Sequence, residues 1–268
     1  MESINHPASP TRIALGVEYD GQTFLGWQRQ KQGQTVQNNL EKALGTIAQE
    51  QITIHAAGRT DSGVHALQQV IHFDTCAKRP LSAWIRGTNS RLPSNIAIKW
   101  AQPVSRDFHA RFSALSRHYS YWLLCYPTRP GLLNGKVGWC FQQLDKLAMQ
   151  KAADMLLGQH DFSCFRSSQC QAKSPIKTLY CLTITSYANL LHFEFEADAF
   201  LHHMVRNIVG TLIYVGKGRL TLGAFKELLT HKNRLFAPPT FMPDGLYLTG
   251  ANYPKHFDLP KPIRGICF

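Results

Sequence analysis

The sequence is 268 residues long, enough to bury a substantial core and to form one large domain or two of ordinary size. Its 29 Lys and Arg against 17 acidic residues give a formal charge of +12, which points to a polyanionic partner such as nucleic acid. A membrane partner is not expected: no basic amphipathic helix is evident, and the longest helix-like apolar run, 199–215, contains two His, an Arg and an Asn. Seven cysteines without a CxxC pair suit free thiols of a reducing cytosol better than a disulfide framework or a metal centre. The segment Met1-Glu2-Ser3-Ile4-Asn5-His6-Pro7 has neither the basic region nor the apolar core of a secretory signal, so a cytoplasmic protein is expected.

Residues 1–11, polar and proline-spaced, read as a disordered lead-in. Ile13, Leu15, Val17 and Tyr19 then alternate with other residues, which predicts a strand ending at the Asp20-Gly21 turn. The stretch 24–30 reads as a loop in which Trp27 is either core or a contact. Thr35 is placed to cap a helix with Val36, Leu40, Leu44 and Ile47 on one face. A strand over 52–55, another over 69–73, a helix opened by Pro80 and bearing Leu81, Trp84 and Ile85, and a strand through Ile96, Ile98 and Trp100 complete a first set.

A second set follows in the same order: a strand over 118–125, a helix over 144–157 stopped by Gly158, strands over 179–185 and 191–195 joined at Ala188-Asn189, a helix over 199–215, one capped by Thr221, and a strand over 245–249. Each set is the βαββαβ order of a ferredoxin-like unit. The prediction is an α+β fold of two pseudo-symmetric ferredoxin-like halves, 12–107 and 108–268, sharing a mixed, mainly antiparallel sheet flanked by helices, with a cleft between the halves.

The loop Gly58-Arg59-Thr60-Asp61-Ser62-Gly63-Val64-His65-Ala66 lies between two predicted strands of the first half and carries the lone acidic residue between Glu50 and Asp74. An Asp beside an Arg suits a nucleophile held ionised. The plainer alternative is a turn-capping Asp61 with a solvated Arg59.

Two further stretches bear on chemistry. Between Phe108 and Trp122, Arg111 and Arg117 interleave with aromatics, a pairing suited to phosphates and stacked bases; Tyr119 and Tyr121 share one strand face and are stacking platforms or plain core. In 198–210, helical spacing would put His202 beside Arg206 and His203 beside Asn207, and Arg206 within an apolar helix needs a carboxylate partner. Adjacent histidines on a helix point about 100° apart, so no shared metal ion is expected.

These residues resemble the bacterial TruA family of tRNA pseudouridine synthases over nearly all of 12–254. The matching motifs are Tyr19-Asp20-Gly21, Gly26-Trp27-Gln28, Thr35-Val36-Gln37, the loop 58–65, Phe108-His109-Ala110-Arg111-Phe112, Arg117-His118-Tyr119, Gly158-Gln159-His160-Asp161-Phe162, the run from Phe200 to Gly210, and Gly245-Leu246-Tyr247-Leu248. The resemblance implies Asp61 as nucleophile, Arg59 acting beside it in base displacement, Tyr119 stacking on the target base and Arg206 paired with Asp61. It further implies an isomerase acting on uridines 38, 39 and 40 of the tRNA anticodon arm as a homodimer, without cofactor or metal and without a DNA partner. Two departures stand out: Leu92-Pro93-Ser94-Asn95-Ile96, where the family has Asp in place of Asn95, and Ala237-Pro238-Pro239-Thr240, where it has Gly in place of Pro238.

A glycosidase needs a second carboxylate, whereas an isomerase that recaptures its own leaving base is harmed by activated water, so one isolated Asp is consistent with isomerisation. The base would have to leave its stack to reach Asp61. Two competing readings are an RNA-binding protein without catalysis, favoured by charge and aromatics alone, and a nucleoside hydrolase.

Overall fold

A computed structural model describes residues 9–30 and 34–263. Among the described residues ten strands form one sheet: β1 (Thr11–Tyr19), β2 (His55–Ala56), β3 (His65–Thr75), β4 (Ile96–Val104), β5 (Ser116–Cys125), β6 (Gly138–Cys140), β7 (Gly158–Asp161), β8 (Ile176–Tyr187), β9 (Leu190–Ala197) and β10 (Leu246–Asn252). Four α-helices accompany them: α1 (Val36–Ala48), α2 (Lys146–Asp154), α3 (Met204–Gly216) and α4 (Leu222–His231).

The strands run β4-β1-β3-β10-β5-β9-β8-β7, with β2 beside β3 and β6 beside β5. All pairings are antiparallel except β10 with β3 and β5 with β6. The strand order β4-β1-β3-β2 on one side and β10-β5-β9-β8 on the other is the same order twice, so the predicted α+β architecture is present as one continuous sheet. The seam is short: β10 meets β3 only through Tyr247 opposite His65 and Leu248 opposite Ala66.

Alternation explains the layers. Ile13, Leu15, Val17 and Tyr19 of β1 face the α1 residues Val36, Leu40 and Leu44, while Phe193 and Phe195 of β9 face Met149, Ala152, Ile208 and Leu212 of α2 and α3, all in one contiguous core. The opposite parity, Ala14 and Val70, is covered by Phe108 and Phe257, and Trp122 by Val137 and Tyr247. Thr35 caps α1 by accepting the Asn38 N–H at 3.3 Å, and Thr221 caps α4 by accepting that of Ala224 at 3.2 Å. No helix among the described residues is long and apolar enough to cross a membrane.

Several expectations shift. Of the lead-in, residues 1–8 lie outside the described residues, and Thr11 already belongs to β1. The strand expected over 52–55 shrinks to β2: Ile52 and Ile54 are buried as their alternation required, but the Ile54 N–H donates to the Glu41 carboxylate of α1 instead of to a strand. The helix after Pro80 forms but widens into a π-helical stretch at Ala83–Gly87. The helix expected over 144–157 contracts to α2, with Asp145 as its cap. The helix expected from residue 199 begins only at Met204, which changes the reading of the site.

Candidate active site

The loop 57–64, which leads from β2 into the start of β3, is tied down along its whole length. Ala57 is fixed by its N–H to the Val70 carbonyl and by Arg117, whose guanidinium donates to the Ala57 carbonyl at 3.4 Å. The Gln69 side chain brackets Gly58, donating to its carbonyl at 2.6 Å and accepting its N–H at 3.4 Å. Thr60 is buried, hydrogen-bonded through its hydroxyl to Tyr19 at 2.8 Å and through its carbonyl to the Trp27 N–H at 3.0 Å. The Ser62 hydroxyl donates to the Phe24 carbonyl at 3.0 Å. Trp27 is therefore core, packed against Tyr19 with ring centroids 5.9 Å apart. Of the two flanking glycines, Gly63 is the one held in the left-handed region, at φ +80°.

Asp61 is left facing the start of α3. Arg206 Nη1 donates to Asp61 Oδ2 at 3.0 Å, and its Nε donates to the Phe241 carbonyl at 2.8 Å, so the guanidinium is aimed from two directions. The two groups lie 145 positions apart in the chain, and the Arg206 side chain is only 14% exposed. This is the carboxylate partner that Arg206 required. The neighbouring Arg59, expected to support Asp61, is exposed and takes no part in the ion pairs that hold it.

The histidines were misplaced by the helical reading. His202 and His203 precede α3, and His203 adopts φ +64°, which turns the chain so that both rings converge on Asp61. His202 Nε2 lies 3.1 Å from Oδ1, His203 Nε2 lies 3.4 Å from Oδ2, and the ring centroids are 4.0 Å apart. The expected 100° divergence is absent, and the three side chains offer ligand atoms within 4.8 Å of one another, a spacing compatible with an ion. Burial pushes the His203 imidazole below its usual range; Asp61 opposes that shift, and His202, Arg206 and Arg234 add to it. Apolar periodicity could not show this, because Leu201 continues the Met204, Ile208, Leu212 stripe backwards past the true start of the helix.

Tyr119, on β5, is 9% exposed, with its ring edge-on to Phe200 at 5.0 Å. Burial, and next the Asp61 carboxylate, raise its phenol well above the ordinary value. A side chain on Gly58 would come to 3.7 Å from the Tyr119 hydroxyl, so this ring stands over the Asp61 loop. Tyr121 is fully buried and donates to the Met242 carbonyl at 2.9 Å, which makes it core. The arginines of this stretch also separate: Arg111 is exposed beside Phe112, whereas Arg117 is spent on the carbonyls of Ala57, Arg111, Ala114 and Asp198. Arg117 is a structural clasp.

The departures from the resembling family lie outside this cluster. Asn95 donates to the Thr23 hydroxyl at 2.9 Å, and Pro238 is buried beside Pro239, whose carbonyl lies against Gly210 of α3.

On a basic α+β scaffold, a single partly buried carboxylate aimed by a guanidinium, with an aromatic wall beside it, is an arrangement suited to the class of enzymes that work through one carboxylate on a planar group. Comparison with known proteins narrows this class. The family described as tRNA pseudouridine synthase matches residues 16–113 and 152–254. A tRNA pseudouridine synthase A from Chromobacterium violaceum is 61% identical over 251 residues, covering 93% of this chain and 96% of that protein. Proteins of the same description from Dechloromonas aromatica and Nitrosomonas europaea are 55% and 53% identical, over 94% and 93% of this chain and 96% and 92% of theirs. The chain belongs to the tRNA pseudouridine synthase family.

Proposed function

We propose that this protein isomerises uridine to pseudouridine in tRNA, at uridines 38, 39 and 40 of the anticodon arm, with Asp61 as the nucleophile. The observation that carries the reading is the isolation of Asp61: among the described residues, the charged and titratable side chains that touch it are Arg206, His202 and His203, none of them a carboxylate. Hydrolysis by a carboxylate pair would need a second acid to activate water. Isomerisation breaks the bond from ribose C1′ to uracil N1, turns the base and closes a bond from C1′ to C5; the proton leaves C5 and N1 gains one, so no atom is added overall.

The residue roles follow. Arg206 keeps the carboxylate aimed, Tyr119 offers a face to the base, and Arg59, exposed beside Asp61, is free to occupy the space the displaced base leaves. Neither the chemistry nor these roles calls for a cofactor. A cytoplasmic homodimer acting on tRNA, with no membrane or DNA partner, is the assembly we assign to it, in keeping with the +12 charge for the RNA.

Asp61→Asn is the test. The amide keeps shape but cannot form a covalent intermediate, so pseudouridine should fall to background while tRNA affinity, spread over many phosphate contacts, is retained. Product is read by mass and carbodiimide labelling. Release of free uracil by the parent protein would assign a hydrolase, unaltered RNA would assign a binder, and parental activity in Asp61→Asn would remove the nucleophile.

A further inference from the structure

Asp61 is held by more than the guanidinium, and its two oxygens are not equivalent. Oδ2 accepts from Arg206 at 3.0 Å and lies 3.4 Å from His203 Nε2; among the described residues Oδ1 has His202 Nε2 alone, at 3.1 Å. Exposure rises in the same direction, from 14% for the Arg206 side chain to 27% for His203 and 37% for His202, so the Oδ1 side is the open side. We infer that His202 and His203 are positioning residues that donate Nε2–H to the Asp61 carboxylate, locking its rotation so that Oδ1 is the oxygen presented to the RNA. The inference rests on Asp61 being the reacting carboxylate.

Three features support it. His203 sits at φ +64°, uncommon for a residue with a side chain, and that backbone turn is what points two successive imidazoles at one carboxylate. The rings, 4.0 Å apart and tilted by 37°, restrict each other's rotation. Neutral donors also orient a carboxylate without adding charge to the one positive group already there, and burial keeps His203 on the neutral side. The groups facing His203 are Asp61 from the catalytic loop, His202, Arg206 of α3 and Arg234 from the segment after α4.

The experiment is single-turnover kinetics at saturating tRNA, with binding measured in parallel, on the full-length protein. His202→Ala, in ordinary backbone, and His203→Asn, which tolerates the left-handed region but is too short to reach, should each slow the chemical step on the order of 10- to 100-fold. Their tRNA affinity should stay close to the parent's, which also reports that they are folded. His202→Gln and His203→Gln, neutral donors that do not titrate, should recover much of the rate. His203→Gln should further hold its rate to lower pH than the parent, because protonating His203 adds a second positive charge at the carboxylate. Parental rates in His202→Ala and His203→Asn would overturn the inference, as would a loss confined to affinity, which would make the imidazoles RNA contacts. Loss of the parent's rate to a chelator with recovery on adding Zn2+ would instead give them to a metal ion. Asp61→Asn run alongside separates the two proposals: an active Asp61→Asn removes the nucleophile beneath, whereas an inactive one with fully active histidine variants removes only the positioning role.

Discussion

Tyr119 is both part of the core and part of the site wall, buried to 9% exposure yet standing over the loop that carries Asp61. Tyr119→Phe keeps the ring and its contact with Phe200 and should retain most activity. Tyr119→Leu keeps apolar bulk but removes the stacking face, worth roughly 1–3 kcal/mol per base. The expected result is a much larger fall in single-turnover rate for Leu than for Phe, with both proteins folded by circular dichroism. Equal rates in the parent and Leu proteins would return Tyr119 to a purely packing role. At this scale the pairing was half legible: Arg206 stood out as a charge needing a carboxylate and Asp61 as a lone acid in its loop, whereas Arg59 and Arg117 look alike in sequence and separate only by burial, one exposed and the other clasping four carbonyls.

The Asp61 loop depends on an element it does not belong to. Gly26, at φ +85°, lets the 24–28 loop lie against it so closely that a side chain there would stand 2.9 Å from the Thr60 carbonyl oxygen and 3.1 Å from the Asp61 backbone. Gly26→Ala should cost roughly 1–2 kcal/mol for the left-handed backbone alone and also push the loop off its register. Gly218→Ala is the control: its φ is +68°, but nothing lies within 4 Å of the added methyl. Both should lower the melting temperature, and only Gly26→Ala should lower turnover as well. If both lose stability alone, the loop is not set by this contact.

The whole molecule carries two pH and salt signatures. With a charge of +12, tRNA affinity should weaken steeply as salt rises, with a log–log slope corresponding to several phosphate contacts; a flat response would remove the electrostatic footprint. The second concerns His72 in β3, buried and accepting the Ala110 N–H at 3.1 Å. Burial first, then His109, Arg12 and His55, push it from 6.5 down to about 3. The unfolded chain therefore takes up this proton near pH 6.5 and the folded chain only near pH 3. Between those values the unfolded state binds more protons, so stability falls as pH falls, on the order of 1.4 kcal/mol per pH unit at most from this group, and above pH 6.5 it adds no slope. His72→Asn keeps an acceptor for Ala110 without a titrating ring. Its denaturant-melt stability should fall less steeply between pH 6 and 4, by about one proton's worth; an unchanged slope would clear His72 of the effect.

The sequence by itself determined most of the strands and helices in both halves, though not the short β6 and β7, together with the α1 and α4 caps and the net positive charge. These follow from apolar spacing, capping chemistry and net charge, which are properties of neighbours along the chain. The Asp61–Arg206 pairing that the resemblance implied is met across 145 positions, whereas the tertiary structure alone decided that Arg117 is a clasp, that the 52–55 strand gives way to a carboxylate contact from α1, and that His202 and His203 leave the helix to meet Asp61. The reason is common to all three. Periodicity reports which face of an element is apolar, but where a helix begins and which loop its first polar side chains meet are set by contacts between distant segments, and a charge seeks the partner that burial brings to it.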